Sequence, residues 1–169
     1  MTKSEKEQEI KKIDAGRLLT LQIEKSRRRL SLFEAGRVAF ECPAALGRCP
    51  IGPKEREGDG RTPEGEYQIC LVKEKGKYGR SLGLNYPNGR DAEAGLRDGL
   101  IDQAAYQAIL DALNAGIRPP WGTALGGEIY IHEGGAATDW TQGCIALDPE
   151  DMAAVYFLRD RIEKVVIIP

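Results

Sequence analysis

From Leu18 onward the apolar positions of the chain fall on alternate residues. The stretch LLTLQIEK alternates apolar with polar side chains, and RRLSLFEAGRVAFEC does so again around the turn-forming EAGR. A period of two places alternate side chains on one face of a strand, so this texture predicts two or three antiparallel strands in the first fifty residues. Residues 1–14 share none of it. They are charged, carry no apolar stripe, and read as a frayed helix or the remnant of a linker. The organisation expected is therefore an extension over 1–15 followed by one domain over 16–169.

The alternation breaks at LGRCPIGPKEREGDGRTPEGEYQICLV. The first part of this segment is rich in Gly and Pro and reads as a long polar loop that can hold no core. Thr62-Pro63-Glu64-Gly65 has the chemistry of a turn, because proline presets φ at the second position and glycine relieves the fourth. A strand follows at roughly 66–73. YGRSLGLNYPNGRDA supplies another short strand and a second turn at Pro87-Asn88-Gly89. A helical period then covers about 102–115: Asp102 can cap it, Ala104, Ala105, Ile109, Ala112 and Leu113 give the spacing, and Gly116 stops it.

GEIYIHE reads as a strand in which Ile129 and Ile131 alternate with Tyr130 and His132. DPEDMAAVYFLRDRI has Asp148 as a cap, Pro149 at the first helical position and acids in the first turn. KVVIIP closes the chain as a buried strand. The whole is mainly β with appended helices and lacks regular βαβ alternation, which predicts a sheet-on-sheet core.

Composition narrows the classes of function. At 169 residues, 41% hydrophobic and 30% charged, the chain is an ordinary globular domain able to bury a core without staples. A net charge of −2 leaves no electrostatic footprint for nucleic acid. The run Arg27–Arg29 is most simply a solvated hairpin tip. No apolar stretch approaches the roughly 18 residues of a membrane helix. The N-terminus has no apolar core of a signal peptide, which fits either a cytoplasmic protein or a chain that begins after a leader or anchor.

The four cysteines are Cys42, Cys49, Cys70 and Cys144. None belongs to a C-x-x-C, and with a single histidine they never reach zinc spacing, so no metal is expected. Cys42 and Cys49 are near enough to bridge in an exported protein, and equally suit reduced strand and turn thiols. Cys70, within YQICLV, reads as a small core residue.

Cys144 is different, because it lies twelve positions after His132, the only imidazole in the chain, with a Gly- and Ala-rich loop between them. A free thiol is only a few per cent thiolate at neutral pH and needs a base to become a strong nucleophile. Histidine alone has an unperturbed pKa suited to that task. Such a loop can fold back and bring the sulfur within hydrogen-bond reach of the ring. The N–H groups of Gly143 and Cys144 would then point into one small space, as an oxyanion hole requires. Each residue also has a plain alternative: a surface histidine, a core cysteine, Trp140 as half-buried loop packing and Asp139 as a turn former. The spacing alone supports a candidate cysteine acyl-transfer site.

IYIHEGG…DWTQGCIALDPEDM resembles the signature of the L,D-transpeptidase catalytic domain (YkuD-like), in which a histidine and a loop precede [S/T]-x-G-C-h-x-h. The upstream strand, long loop and TP-x-G turn are similar as well, so the resemblance spans about Gly16 to Pro169. It implies an L,D-transpeptidase-like β-sandwich of mixed sheets with Cys144 as nucleophile, His132 as base and Gly143 before the nucleophile. Thr141 falls on the small residue of the motif, beside Gln142. The resemblance also implies that the histidine is oriented at the next residue, here Glu133. A main-chain carbonyl is the expected partner, with the Glu133 side chain solvated or shaping substrate choice. Tyr130, Asn85 and Tyr86 are further candidates for the cleft, and Lys54, Arg56, Arg61 and Arg80 are available for substrate carboxylates.

Two positions depart from the family pattern: many members have histidine where Gln142 stands, and Asn or Arg where Ala146 stands. The implied reaction is acyl transfer from a peptidoglycan stem tetrapeptide through a thioester, with no cofactor, by a monomer in the periplasm or cell wall. The departures keep open a hydrolase of the same donor, an L,D-carboxypeptidase or amidase. A non-catalytic wall-binding domain is the alternative of another class.

Overall fold

The computed structural model describes residues 2–13 and 16–169. The expected boundary near residue 15 lies outside the described residues. The first helix, α1 (Lys3–Lys12), is more than a frayed extension. Thr2 Oγ1 accepts from the Glu5 N–H at 3.3 Å while Glu5 Oε2 accepts from the Thr2 N–H at 2.6 Å, a reciprocal capping box. Ile10 and Ile13 join the main core. Two apolar residues near one end make no sequence-level stripe, yet they suffice once a neighbouring surface receives them.

Among the described residues, nine strands form two mixed sheets. One sheet has the order β3 (Arg37–Pro43), β2 (Arg29–Glu34), β1 (Leu19–Glu24), β9 (Ile162–Ile168), β4 (Gly65–Tyr67). Its β1–β9 pair is parallel and its other pairs are antiparallel. The second sheet runs β5 (Ile69–Gly76), β6 (Gly79–Leu84), β7 (Tyr130–Glu133), β8 (Ile145–Leu147), with β7–β8 parallel. Leu21, Ile23, Leu30 and Val165 from one sheet meet Leu82, Ile131, Ile145 and Leu147 from the other in a single core. Helix α4 (Pro149–Phe157) adds Met152, Ala154 and Val155. It also holds α1 through an ion pair between Lys6 and the buried Asp151.

The strand expected over 66–73 is two strands in different sheets. The break falls at Gln68, whose N–H goes to Asn85 Oδ1 at 2.7 Å and whose carbonyl takes the Asn85 N–H at 3.0 Å. With both main-chain groups satisfied by one asparagine, the chain leaves the first ladder and enters the second without a buried orphan.

The turn expected at Pro87-Asn88-Gly89 instead begins a helix, α2 (Gly89–Arg97). Asn88 Oδ1 accepts from the Asp91 N–H at 3.0 Å and Asp91 Oδ2 accepts from the Asn88 N–H at 2.9 Å. An asparagine suits a turn and a helix cap equally, which is why the local sequence misleads. Helix α3 (Gln103–Asn114) is capped by Asp102 as its spacing predicts. It packs with α2 around Ile109, Ala92 and Leu125 in a small separate cluster between β6 and β7. Asp148 occupies the N-cap position of α4 but makes no cap bond, because Oδ1 accepts from the Ala136 N–H at 3.1 Å. Among the described residues, no helix is long and apolar enough to cross a membrane.

Candidate active site

The register of β7 and β8 pairs Ile131 with Ile145 and His132 with Ala146. Ile131, Ile145 and Leu147 face the core, so Tyr130 and His132 on one strand, and Cys144 and Ala146 on the other, share the opposite face. His132 and Cys144 both line a cleft of about 390 Å³. Tyr130, Thr141, Gln142 and Trp140 line it too. A larger groove of about 690 Å³ lies between α1 and β3, but its walls hold neither a thiol nor an imidazole.

The imidazole is almost fully buried, 3% exposed, and its Nδ1 bonds the Glu133 carbonyl oxygen. A carbonyl can only accept, so Nδ1 carries the proton and Nε2 keeps a free lone pair. Burial lowers the pKa of His132 below the usual histidine value, against a smaller raising effect of the Glu133 carbonyl. The carbonyl orients the ring as the family resemblance implies. The Glu133 side chain is half-buried and lies outside the cleft lining. It pairs with Arg80, whose Nη1 lies 3.0 Å from Oε1.

The Cys144 thiol donates to the Glu128 carbonyl at 3.3 Å and accepts from the Tyr130 N–H at 3.4 Å. Among the described residues no hydrogen bond joins the sulfur to the imidazole, so the reach expected from the loop is met only as far as a shared cleft. Burial raises the thiol pKa most; the Tyr130 N–H lowers it, Glu128 raises it and Lys54 lowers it. A thiol pushed up beside an imidazole pushed down gives a resting pair in which both members are neutral.

The turn before Cys144 is locked from below. Thr141 Oγ1 donates to the Cys144 carbonyl at 2.7 Å and accepts from the Gly143 N–H at 3.1 Å. That bond removes the Gly143 N–H from the expected oxyanion pair and leaves the N–H of Cys144 itself. Gly143 has φ +141°, and a Cβ there would stand 2.7 Å from the Arg61 carbonyl oxygen. Only glycine suits both the conformation and the approach.

The residues that crowd Gly143 come from the long polar loop and the segment after β3. Ala45 exchanges main-chain bonds with Ala146 at 2.9 and 3.0 Å, and the Arg48 N–H reaches the Thr141 carbonyl at 2.9 Å. The Gly47 N–H donates to Thr62 Oγ1 at 3.0 Å. Lys25, buried, extends Nζ to the carbonyls of Gly52 (2.7 Å) and Thr62 (2.9 Å) and to Glu64 Oε1 (2.9 Å). Asp139 does more than form a turn: its carboxylate takes Nε and Nη2 of Arg28 at 3.0 and 2.9 Å and the Leu46 N–H at 2.9 Å. Arg28 is therefore tied down rather than left at a solvated tip.

Asn85 and Tyr86 do not line the cleft. Asn85 is committed to Gln68, and Tyr86 is fully buried with its hydroxyl on the Leu125 carbonyl at 2.8 Å. Of the four basic residues, Lys54 lines the cleft, yet its Nζ is already held by Asp59 at 2.9 Å. Arg56, Arg61 and Arg80 lie outside the lining. Cys42, Cys49, Cys70 and Cys144 are all free thiols, with Cys42 buried and Cys49 exposed.

Two features of the site carried no signal in the sequence, and a third residue, Trp140, reads there as half-buried loop packing. Glu128 adopts φ +53°, which aims its carbonyl region at the sulfur. Tyr78 stacks on His132, and Trp140 meets the imidazole edge-on. A Gly-x-x-Gly hairpin tip at 76–79 is the one cue that could have drawn attention to Tyr78.

The family model described as the L,D-transpeptidase catalytic domain (YkuD) matches residues 19–167. No curated protein matches the chain at a significant level. Among solved structures, it is similar to the helical cell shape determining protein Pgp2 from Campylobacter jejuni, with TM-score 0.61, 20% identity, and coverage of 98% of this chain and 56% of that one. It is similar to an L,D-transpeptidase from Mycobacterium smegmatis, with TM-score 0.52, 12% identity, and 91% and 60% coverage. Bd1075 of Bdellovibrio bacteriovorus gives TM-score 0.53 and 21% identity over 93% of this chain and 50% of that one. At these identities the likeness is one of fold. The chain spans between 50% and 60% of the length of these three structures.

Proposed function

Given that this chain belongs to the L,D-transpeptidase catalytic-domain family, we propose that it is a cysteine acyltransferase acting on peptidoglycan tetrapeptide stems. The observation that carries this reading is the placement of both groups in one cleft: a thiol on the same sheet face as an imidazole whose Nδ1 is held by the Glu133 carbonyl, leaving Nε2 as the acceptor. When a donor stem enters, rotation about the Cys144 side chain moves the thiol proton from the Glu128 carbonyl to His132 Nε2. The sulfur then attacks the carbonyl of the third stem residue. The tetrahedral oxyanion is held by the Cys144 N–H, and one such donor is typically worth about 3–4 kcal/mol of barrier. Collapse breaks the peptide bond, the imidazolium returns its proton to the leaving D-alanine amine, and a thioester remains. An amine from a neighbouring stem resolves it into a cross-link between third residues. Under this reading the work is done at the cell wall, in the periplasm, without a cofactor.

Hydrolysis of the same thioester, as an L,D-carboxypeptidase or amidase would perform it, is favoured by one observation. Ala146, two residues past the nucleophile, is fully buried with both main-chain groups bonded to Ala45, and offers an acceptor nothing polar. Incubation with a carbapenem followed by intact-mass spectrometry tests the shared step: wild type gains one adduct and Cys144→Ala gains none while remaining folded. An unmodified wild type rejects both readings. Muropeptide analysis then separates them, since transfer makes new dimers and hydrolysis leaves only shortened stems.

A further inference from the structure

The chemistry above employs the Cys144 thiol and N–H together with His132, and gives no role to the rings that pack against the imidazole. An aromatic ring lies flat on the imidazole. Tyr78 sits at the tip of the β5–β6 hairpin, between the paired residues Gly76 and Gly79. Exposed turn tips ordinarily carry small or polar side chains. Here the ring lies 4.7 Å from that of His132, centroid to centroid, with the planes 19° apart. Trp140 closes a second side, edge-on to the imidazole at 5.7 Å and to Tyr78 at 5.4 Å.

The tip is fastened where it needs to be. Gly79, at φ +76°, passes so close to β7 that a Cβ would stand 2.5 Å from Glu133 Oε2. The next residue, Arg80, gives its main-chain N–H (3.3 Å) and its guanidinium (3.0 Å) to Glu133 Oε1. Glu133 therefore acts on His132 twice: its carbonyl takes the Nδ1 proton, and its carboxylate anchors the strand that brings Tyr78 over the ring.

We propose that Tyr78 is a positioning residue for His132, whose ring covers one face of the imidazole, keeps it in the plane set by the Glu133 carbonyl and excludes water from it. This inference rests on His132 being the base of the proposed reaction. Excluding water penalises the imidazolium more than the neutral ring, so the proton-accepting form persists to lower pH. The charges around the imidazole do not oppose this. The carboxylate of Glu133 is neutralised by Arg80, and Lys77 holds its ammonium 5.2 Å from the Tyr78 ring centroid. On β6, Ser81 is the register partner of His132; the cleft also holds Lys54, Lys73, Glu57 and Glu128, yet the influences on the imidazole are its burial and the Glu133 carbonyl. Burial is the larger influence on the group, and Tyr78 supplies a wall of that burial.

His132 is the chain's one histidine, so in untagged protein its ring C–H resonance reports a proton titration free of overlap. Wild type is expected to titrate below an ordinary histidine, Tyr78→Ala to move back up, and Tyr78→Phe to follow wild type. A Tyr78→Ala curve that coincides with wild type overturns the proposal, as does a Tyr78→Phe curve that follows Tyr78→Ala. Carbapenem acylation supplies the second readout. Tyr78→Ala is expected to be slower than wild type by about threefold or more at pH 6 and to converge with it at pH 8. An equal loss at both pH values marks a merely structural residue and also overturns the proposal. If the titrations behave as expected and none of the three proteins is acylated, the acyl-transfer reading falls and the cover over His132 stands.

Discussion

Replacing Gly47 by alanine probes whether the polar loop builds the seat of Cys144. Gly47 is not among the residues with positive φ, so alanine introduces contact and no backbone strain. Its Cβ would lie 2.2 Å from the Gly60 carbonyl oxygen, 3.0 Å from the Gly60 carbonyl carbon and 3.1 Å from Gly143 Cα. All three are backbone atoms, and no side chain can swing aside to relieve them. Ordinary contact begins at 3.4 Å, so Gly60 must retreat by roughly 1 Å. That retreat breaks the Cys49 N–H bond to the Gly60 carbonyl, now 2.9 Å, and strains the buried bond from Gly47 to Thr62.

With about 1 kcal/mol for each bond and 1–3 kcal/mol for the overpacking, the expected destabilisation is about 3–5 kcal/mol. The same movement withdraws the Arg61 carbonyl from behind Gly143, and a displacement of about 1 Å at a reacting group lowers rate by up to about a hundredfold. Urea unfolding measures the first effect, and the rate of carbapenem adduct formation by intact mass measures the second. A Gly47→Ala protein within about 0.5 kcal/mol of wild type, acylated at the same rate, would refute the claim that this loop supports Cys144.

Three further predictions follow from single groups. If the neutral imidazole is the base, as proposed, and burial lowers its pKa, the half-maximal acylation rate should fall below about pH 6.5; a half-maximal rate above that pH contradicts the neutral resting pair. Asp139→Ala removes the acceptor of both Arg28 and the Leu46 N–H and should cost about 2 kcal/mol in denaturant unfolding; a loss under about 0.5 kcal/mol would return Asp139 to the status of a surface turn residue. Asp91 is pushed up to about 6, by burial first, against the bonds from Asn88 and Tyr67. A raised carboxyl is protonated more readily in the fold than in the open chain, so its contribution is fully present near pH 4 and is lost as pH rises to 6. The stability of wild type relative to Asp91→Asn should therefore fall across that window, and thermal melts showing it flat or rising would disprove the assignment.

The residues proposed to act were more legible in the sequence than the topology that brings them into one cleft. One imidazole and one motif-embedded thiol can be read without a structure, because histidine and cysteine are rare and their functions follow from their own acid–base properties. Period-two patterning likewise revealed β1, β2 and β3, and a cap with a regular stripe revealed α3. Reading failed where a residue's task depends on a distant partner. Gln68 breaks a strand because Asn85, from beyond β6, takes both its main-chain groups. Asn88 is a helix cap although its dipeptide context suits a turn. The loop over 49–64 looks like solvent-exposed filler until Lys25 and Gly143 are seen to close on it from either side. Tyr130 and Gln142 do reach the cleft, whereas Tyr86 was lost to the core by a hydroxyl bond that no local pattern encodes.

The Asp139 carboxylate and the Leu46 N–H that it receives are 93 residues apart in the chain. Contacts of such span close late, because the intervening chain must first give up its freedom. A nascent or partly unfolded copy thus carries a sulfur with no seat behind it and no ring beside it, and its reactivity is that of any ordinary thiol. On the proposed reading, chemical competence at Cys144 is a property of the completed architecture, and selective acylation there would count the molecules that have finished folding.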